Sequence, residues 1–264
     1  MHTVEQSKIE KYAKHLEQAY KRREGVQPLT ELDSEMTIDE AYYVQLHTVR
    51  GMVENGARIT GKKIGLTSKA MQELLGVNEP DYGHLTDQME GKNGGSISVN
   101  SVLQPKVEAE IAFILKDDLK GPKVTVLDVL RATDYIVPAL EIVDSRIKDW
   151  KIKLIDTVAD NASSGLYVLG EQKKKITDVD IKGIGMALYK NEELQNTGVG
   201  AAALGDPAKC VAWLANKLAA YEIHLKAGEV ILSGALSAAI DATPGDVFRA
   251  KFAELGEVTV HFAE

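Results

Sequence analysis

The 264-residue chain holds a single cysteine, Cys210, so neither an internal disulfide nor a multi-thiolate zinc site can form within it. Long apolar runs are also missing. No stretch of about 18 apolar residues occurs, which leaves no candidate for a membrane span. Residues 1–24 are charged throughout and lack the apolar centre and small-residue cleavage site of a secretory signal. The expectation is a soluble, cytoplasmic protein. Positive charge is in short supply as well: 31 Lys and Arg stand against 39 Asp and Glu, a net charge of −8. Such a balance argues against a nucleic-acid partner, which needs basic patches that displace counterions. No low-complexity tract and no repeat of solenoid or propeller length is visible. The six histidines show no HExxH or paired ligand spacing.

What is present is core-forming material, 44% hydrophobic, enough for one large domain or two small ones. Ile9, Tyr12, Leu16, Ala19 and Tyr20 recur at the spacing of one helix face. Thr37-Ile-Asp-Glu40 offers a capping box before a second series, Ala41, Val44, Val49 and Val53. Beyond residue 61 the texture changes to short β-like runs, at 106–115, 135–143, 167–169, 185–189, 229–232, 247–252 and 258–262. One helix interrupts them, with Asp206 as N-cap and Pro207 in its first turn. Strands and helices do not alternate regularly, so a doubly wound parallel sheet is disfavoured. The expected class is α+β, with a helical N-terminal segment over 1–60 and a β-rich catalytic domain over 61–264. Glycines 198, 200 and 205 suggest a phosphate cradle, but no Gly-Lys-Ser/Thr follows. The preceding 191–197 stretch reads as polar and turn-like, so a loop entering a capped helix is expected instead.

The chemistry concentrates in 104–115. In a strand, Val107, Ala109, Ile111, Phe113 and Leu115 share one face, and Glu108 and Glu110 stand about 7 Å apart on the other. Beside them come Ala112 and Ile114, so these carboxylates sit on a face that otherwise looks buried. Like charges there need protonation or a cation. Glu141 is likewise the one charge in an apolar run, 136–143. Three such glutamates make an all-oxygen site suited to Mg²⁺ or Mn²⁺. Three polar, glycine-rich clusters could complete a small-molecule site: 61–68, with its lysines and hydroxyls; 80–87, a turn with two aspartates and His84; and 156–165, a small-residue loop. Of the histidines only His84 is a candidate for touching substrate.

At these residues the sequence resembles the fumarylacetoacetate hydrolase-like superfamily, in its branch of 2-oxopent-4-enoate hydratases and 4-oxalocrotonate decarboxylases of aromatic meta-cleavage catabolism. The resemblance runs through KKIGLTSKA (62–70), LGVNEPDYG (75–83), QPKVEAEIAF (104–113), PALEIVDSR (138–146), DTVADNASSG (156–165), SGAL (233–236) and PGD (244–246). It implies a mixed β-roll with peripheral helices and Mg²⁺ or Mn²⁺ held by Glu108, Glu110 and Glu141. It also implies catalytic roles for Lys63 and Asp81, with Leu66, Ser163, Ser233 and Gly234 against a small 2-oxo acid. PALEIV and SSGLYVLG look more like the hydratases. Glu35-Met-Thr37, Ala132-Thr-Asp-Tyr135, Asp144-Ser-Arg146, 85–87, Ser237-Ala-Ala239 and Thr243-Pro-Gly-Asp246 look more like the decarboxylases, and on these the decarboxylase ranks first. That reading implies loss of CO₂ from 4-oxalocrotonate through a metal-stabilised dienolate. Hydration of the dienoate ranks second and a diketone hydrolase third. The branch also implies a homo-oligomer, with a sister enzyme of the pathway as a possible partner.

Overall fold

A computed structural model describes residues 6–264. Seven helices and thirteen strands follow in order: α1 (Gln6–Arg22), α2 (Leu29–Leu32), α3 (Ile38–Glu54), β1 (Ile59–Gly65), α4 (Lys69–Leu75), β2 (Asp81–Thr86), β3 (Glu90–Gly91), β4 (Ser96–Ser98), β5 (Pro105–Leu115), α5 (Val126–Ala132), β6 (Thr133–Asp144), α6 (Leu154–Ala159), β7 (Ser164–Leu169), β8 (Gly185–Lys190), β9 (Glu193–Val199), α7 (Pro207–Leu218), β10 (Val230–Leu232), β11 (Ile240–Asp241), β12 (Val247–Phe252) and β13 (Gly256–Ala263). The class is α+β, as expected. The larger sheet runs β2-β1-β10-β5-β6-β7-β3, with β11 also pairing β5; the smaller runs β4-β13-β12-β8-β9. Both are mixed: β1 lies parallel to β10, and β13 to β4, among otherwise mostly antiparallel pairs.

The helices form where capping and periodicity place them. Thr37 and Glu40 close the capping box of α3, and the Asp206 side chain accepts the Ala208 N–H at the start of α7. α1 buries Ile9, Tyr12, Ala13, Leu16 and Ala19. β5 and β6 pair antiparallel over nearly their full length and are buried on both faces. On one, Val107, Ile111, Phe113, Leu140 and Ile142 join the main core. On the other, Ala112, Ile114, Val137, Ala139 and Tyr167 form a smaller apolar cluster, the face that also carries the glutamates.

Three segments differ from the sequence reading. Residues 191–197, read as turn-like, lie largely in β9, whose alternation is hidden because it is an exposed edge strand. The polar 80–87 turn is mostly β2, a strand with every residue buried. The 156–165 loop begins inside α6 and tightens into a 3₁₀ turn at Asn161–Ser163. In the last two, tertiary contacts rather than apolar periodicity fix the backbone. No described helix is long and apolar enough to cross a membrane.

Candidate active site

Strand register builds the acidic centre. Glu108 of β5 stands directly opposite Glu141 of β6, and Glu110 follows two residues on, on the same face. One carboxylate oxygen from each of the three lies within 4.8 Å of the others. Glu110 Oε2 accepts the Gly234 N–H at 2.8 Å. Glu110 Oε1 and Glu141 Oε2 are buried without a hydrogen-bond partner. Burial, then repulsion from Glu141, pushes Glu108, the least buried of the three, up to about 7. Burial and the other two glutamates raise Glu110 further, and burial raises Glu141 against the pull of Lys63. Orphaned carboxylate oxygens converging from two strands, with no nitrogen or sulfur among them, fit a hard divalent cation such as Mg²⁺.

Lys63 reaches this centre from β1. Its Nζ lies 3.2 Å from Glu141 Oε1 and donates to the Ala162 carbonyl at 2.9 Å. Burial alone would lower its pKa, but Glu141, Asp81 and the other glutamates outweigh that and raise it, so the ammonium stays charged. Asp81 of β2 pairs with Gly65 across the ladder. A Cβ on Gly65 would collide with Asp81 Oδ1 and stand 3.4 Å from Lys63 Nζ; glycine is what lets the two groups share that space. Asp81 Oδ2 accepts from the Thr157 hydroxyl at 3.2 Å, whereas Oδ1 has no partner. Burial raises the Asp81 pKa, with Lys63 and Thr157 opposing.

Ser163 extends the chain of hydroxyls, its Oγ 3.4 Å from Thr157 Oγ1. Thr157 has one hydroxyl proton, and its bond to Asp81 leaves Ser163 as the donor in that contact. Gly234, at φ +106, is tied to Glu110 and closes over Thr67, where a Cβ would collide with the threonine hydroxyl. Ser233 is buried with its hydroxyl turned into the sheet, donating to the Ile111 carbonyl at 2.8 Å; it adjoins the centre through Gly234. Leu66, in the left-handed region at φ +56, offers its carbonyl to Gln72 Nε2. His84 lies on the opposite face of β2 from Asp81, its Nδ1 3.1 Å from Gln45 Oε1. Burial, then the Lys62 charge, lowers it to about 3, so it is neutral. Thr157 and the Ala162 carbonyl escaped attention in the sequence, although both lie in the small-residue segment it singled out.

The chain matches known proteins in sequence and in fold. A family profile described as fumarylacetoacetate (FAA) hydrolase C-terminal matches residues 78–263. The chain belongs to the fumarylacetoacetate hydrolase family. It is 49% identical over 221 residues to a 2-hydroxypent-2,4-dienoate hydratase of Pseudomonas putida, covering 83% of this chain and 100% of the relative. It is 46% identical over 258 residues to a 2-hydroxyhexa-2,4-dienoate hydratase of Comamonas testosteroni, covering 97% and 98%. Among solved structures, 4-oxalocrotonate decarboxylase from Pseudomonas putida G7, complexed with magnesium and adipate, superposes with a TM-score of 0.95 at 37% identity, covering 98% of this chain and 99% of that one. The chain is thus an enzyme of this family's lyase branch, in aromatic catabolism, and its fold is the family's mixed β-roll.

Proposed function

We propose that the protein is a divalent-metal-dependent hydratase that adds water to short 2-hydroxy-2,4-dienoates such as 2-hydroxypenta-2,4-dienoate, giving 4-hydroxy-2-oxopentanoate. The observation that carries the reading is Asp81: a buried carboxyl with an orphaned oxygen, raised pKa and a charged lysine sharing its space. Loss of CO₂ from a vinylogous β-oxo acid needs an electron sink but no base to begin. Hydration needs both an acid and a base.

Glu108, Glu110 and Glu141 would hold Mg²⁺, or Mn²⁺, which when bound supplies a Lewis acid for the 2-oxo and carboxylate oxygens. The chain's own groups manage the protons. As the 2-hydroxyl gives up its proton, C5 gains one, leaving a 2-oxo-3-enoate. Water then adds at C4, passing a proton to the Asp81 carboxylate, which returns that proton to C3 and is left ionised as before. Lys63 holds positive charge beside that carboxylate and steadies its ionised form. Ser163, Gly234 and the Leu66 and Ser233 backbone would orient the substrate carboxylate. The apolar cluster around Val137, Ala139 and Tyr167 limits stray water on the same face.

The relatives support this order: the two hydratases share 46% and 49% identity with the chain, the superposed decarboxylase 37%. Decarboxylation of 4-oxalocrotonate is the second reading, favoured by the Asp144-Ser-Arg146 triplet. A diketone hydrolase finds no support in His84, which bonds to Gln45 away from Asp81. Supplying purified protein and Mg²⁺ with each substrate separately decides the matter. Formation of 4-hydroxy-2-oxopentanoate is the expected result; CO₂ release from 4-oxalocrotonate with no hydration reverses the order.

A further inference from the structure

We infer that Asn161 is a positioning residue that sets Lys63 and Asp81 in register with each other. The inference rests on the proton-handling roles proposed above and names what holds them in place. Three consecutive residues, Asn161, Ala162 and Ser163, lie in the left-handed region at φ 54, 52 and 52. Asparagine tolerates that conformation, but alanine and serine seldom adopt it, and a run of three persists only where the surroundings dictate it. The product of the run is the direction of one carbonyl, that of Ala162, onto which Lys63 Nζ donates at 2.9 Å.

Asn161 fixes the turn to β2 with both ends of its amide. Its Oδ1 accepts the His84 N–H at 2.8 Å, and its Nδ2 donates to the His84 carbonyl at 2.9 Å. β2 is the edge strand of the larger sheet, so this side chain supplies the ladder partner that the outer edge lacks. The turn also sits hard against the strand: a Cβ on Gly83 would collide with the Asn161 carbonyl oxygen, which itself accepts from Ser164 Oγ at 2.6 Å. Arg146 holds the rear, bonding both the carboxylate and the carbonyl of Asp160 and donating to the Ser164 carbonyl at 2.7 Å. The Asn161 amide therefore joins the turn that receives Lys63 to the strand that bears Asp81, while Gln45 Nε2, donating to the Tyr82 and Val158 carbonyls, and the Thr157 hydroxyl tie that strand to α6 just before the turn. If the Asn161 amide slackens, the two groups shift relative to each other while the glutamates, on β5 and β6, stay where they are.

The test compares Asn161→Ala and Asn161→Asp with Val260→Ala, a buried position in β13 of the smaller sheet, as a control for lost stability. Steady-state kinetics and Mg²⁺ titration calorimetry supply the readouts. Asn161→Ala is expected to lower kcat about 10–100-fold, the scale of a small misplacement of reacting groups, with KM and Mg²⁺ affinity within about threefold of wild type. Asn161→Asp keeps the acceptor and the left-handed preference but loses the donor, so it should recover part of kcat; it also serves if the alanine variant fails to fold. Val260→Ala should keep kcat despite a lower Tm. In a Lys63→Met background the Asn161→Ala loss should shrink, because the two act on one geometry. Wild-type kcat in a folded Asn161 variant, a loss matched by Val260→Ala, weakened Mg²⁺ binding or full additivity with Lys63→Met would each overturn the inference. A fully active Lys63→Met would overturn the underlying proton-handling reading, and this inference with it.

Discussion

Two adjacent lysines, Lys62 and Lys63, are almost equally buried, at 2% and 3% exposure, yet they point to opposite faces of β1 and meet opposite fates. Lys62 lies 2.8 and 2.9 Å from the two oxygens of Glu229, which also accepts the Lys226 N–H. Every polar atom there has a partner and the pair is closed. Lys63 faces Glu141, whose Oε2 has no partner at all, beside two further carboxylates and an aspartate with an orphaned oxygen. Burial cost is similar on both faces, but only one is balanced within the chain. The difference separates a buried charge satisfied within the fold from one left facing unpartnered oxygens, the environment the proposed function calls for, more surely than burial or charge does alone.

Breaking each pair should give different losses. Lys63→Met should lower the kcat of the folded protein by about 10²–10⁴-fold, the usual range for a group handling protons; wild-type turnover would erase the distinction. Lys62→Met should cost stability, about 3–5 kcal/mol because Glu229 is left buried and unpaired, measured by chemical denaturation, while the folded fraction keeps its kcat. Replacing both partners, Lys62→Met with Glu229→Leu, should recover most of that stability.

The open face should also respond to pH and metal. Its glutamates bind protons more tightly folded than unfolded, because burial and repulsion raise them above the ordinary 4.5, Glu108 to about 7. Their contribution is therefore fully present below about pH 4.5 and is lost as pH rises through their folded values, about 7 for Glu108. Metal-free protein should lose Tm from pH 5.5 to 8. A fixed Mg²⁺ concentration, 100 times the Kd at pH 8, adds about 2.7 kcal/mol there, so Tm should rise by several degrees at pH 8 and by less at pH 5.5, where protons compete with the cation for the glutamates. An equal gain at both would count against the triad as the binding site. The smallest effect is expected from Gly65→Ala, which must displace Asp81 Oδ1: about a tenfold fall in kcat with Mg²⁺ affinity unchanged.

Much of the acidic centre was legible because charge in an apolar strand is a conspicuous exception. Glu108 and Glu110 announce themselves by alternation and Glu141 by isolation; what no spacing reveals is the register that puts Glu108 opposite Glu141. Lys63 and Asp81 lie in two polar, glycine-rich clusters that the residues alone marked out, but only the family resemblance picked these two side chains from them, since glycines and charges in β1 and β2 mask their strand character. Thr157, Asn161 and the Ala162 carbonyl were hidden for another reason. Their roles rest on main-chain direction and on contacts across distant segments, such as Asn161 with His84 and Thr157 with Asp81, which side-chain identity does not encode.

The facing glutamates of β5 and β6 also make this strand pair a mechanical element. When both carboxyls are ionised they repel across one rung of the ladder, and a cation held there would act as a clasp. Amide hydrogen exchange along β5 and β6 near Glu108 and Glu141 should therefore slow when Mg²⁺ is added, while β12 and β13 in the smaller sheet exchange at an unchanged rate. The centre that gathers the substrate would then also decide how often the middle of the larger sheet opens.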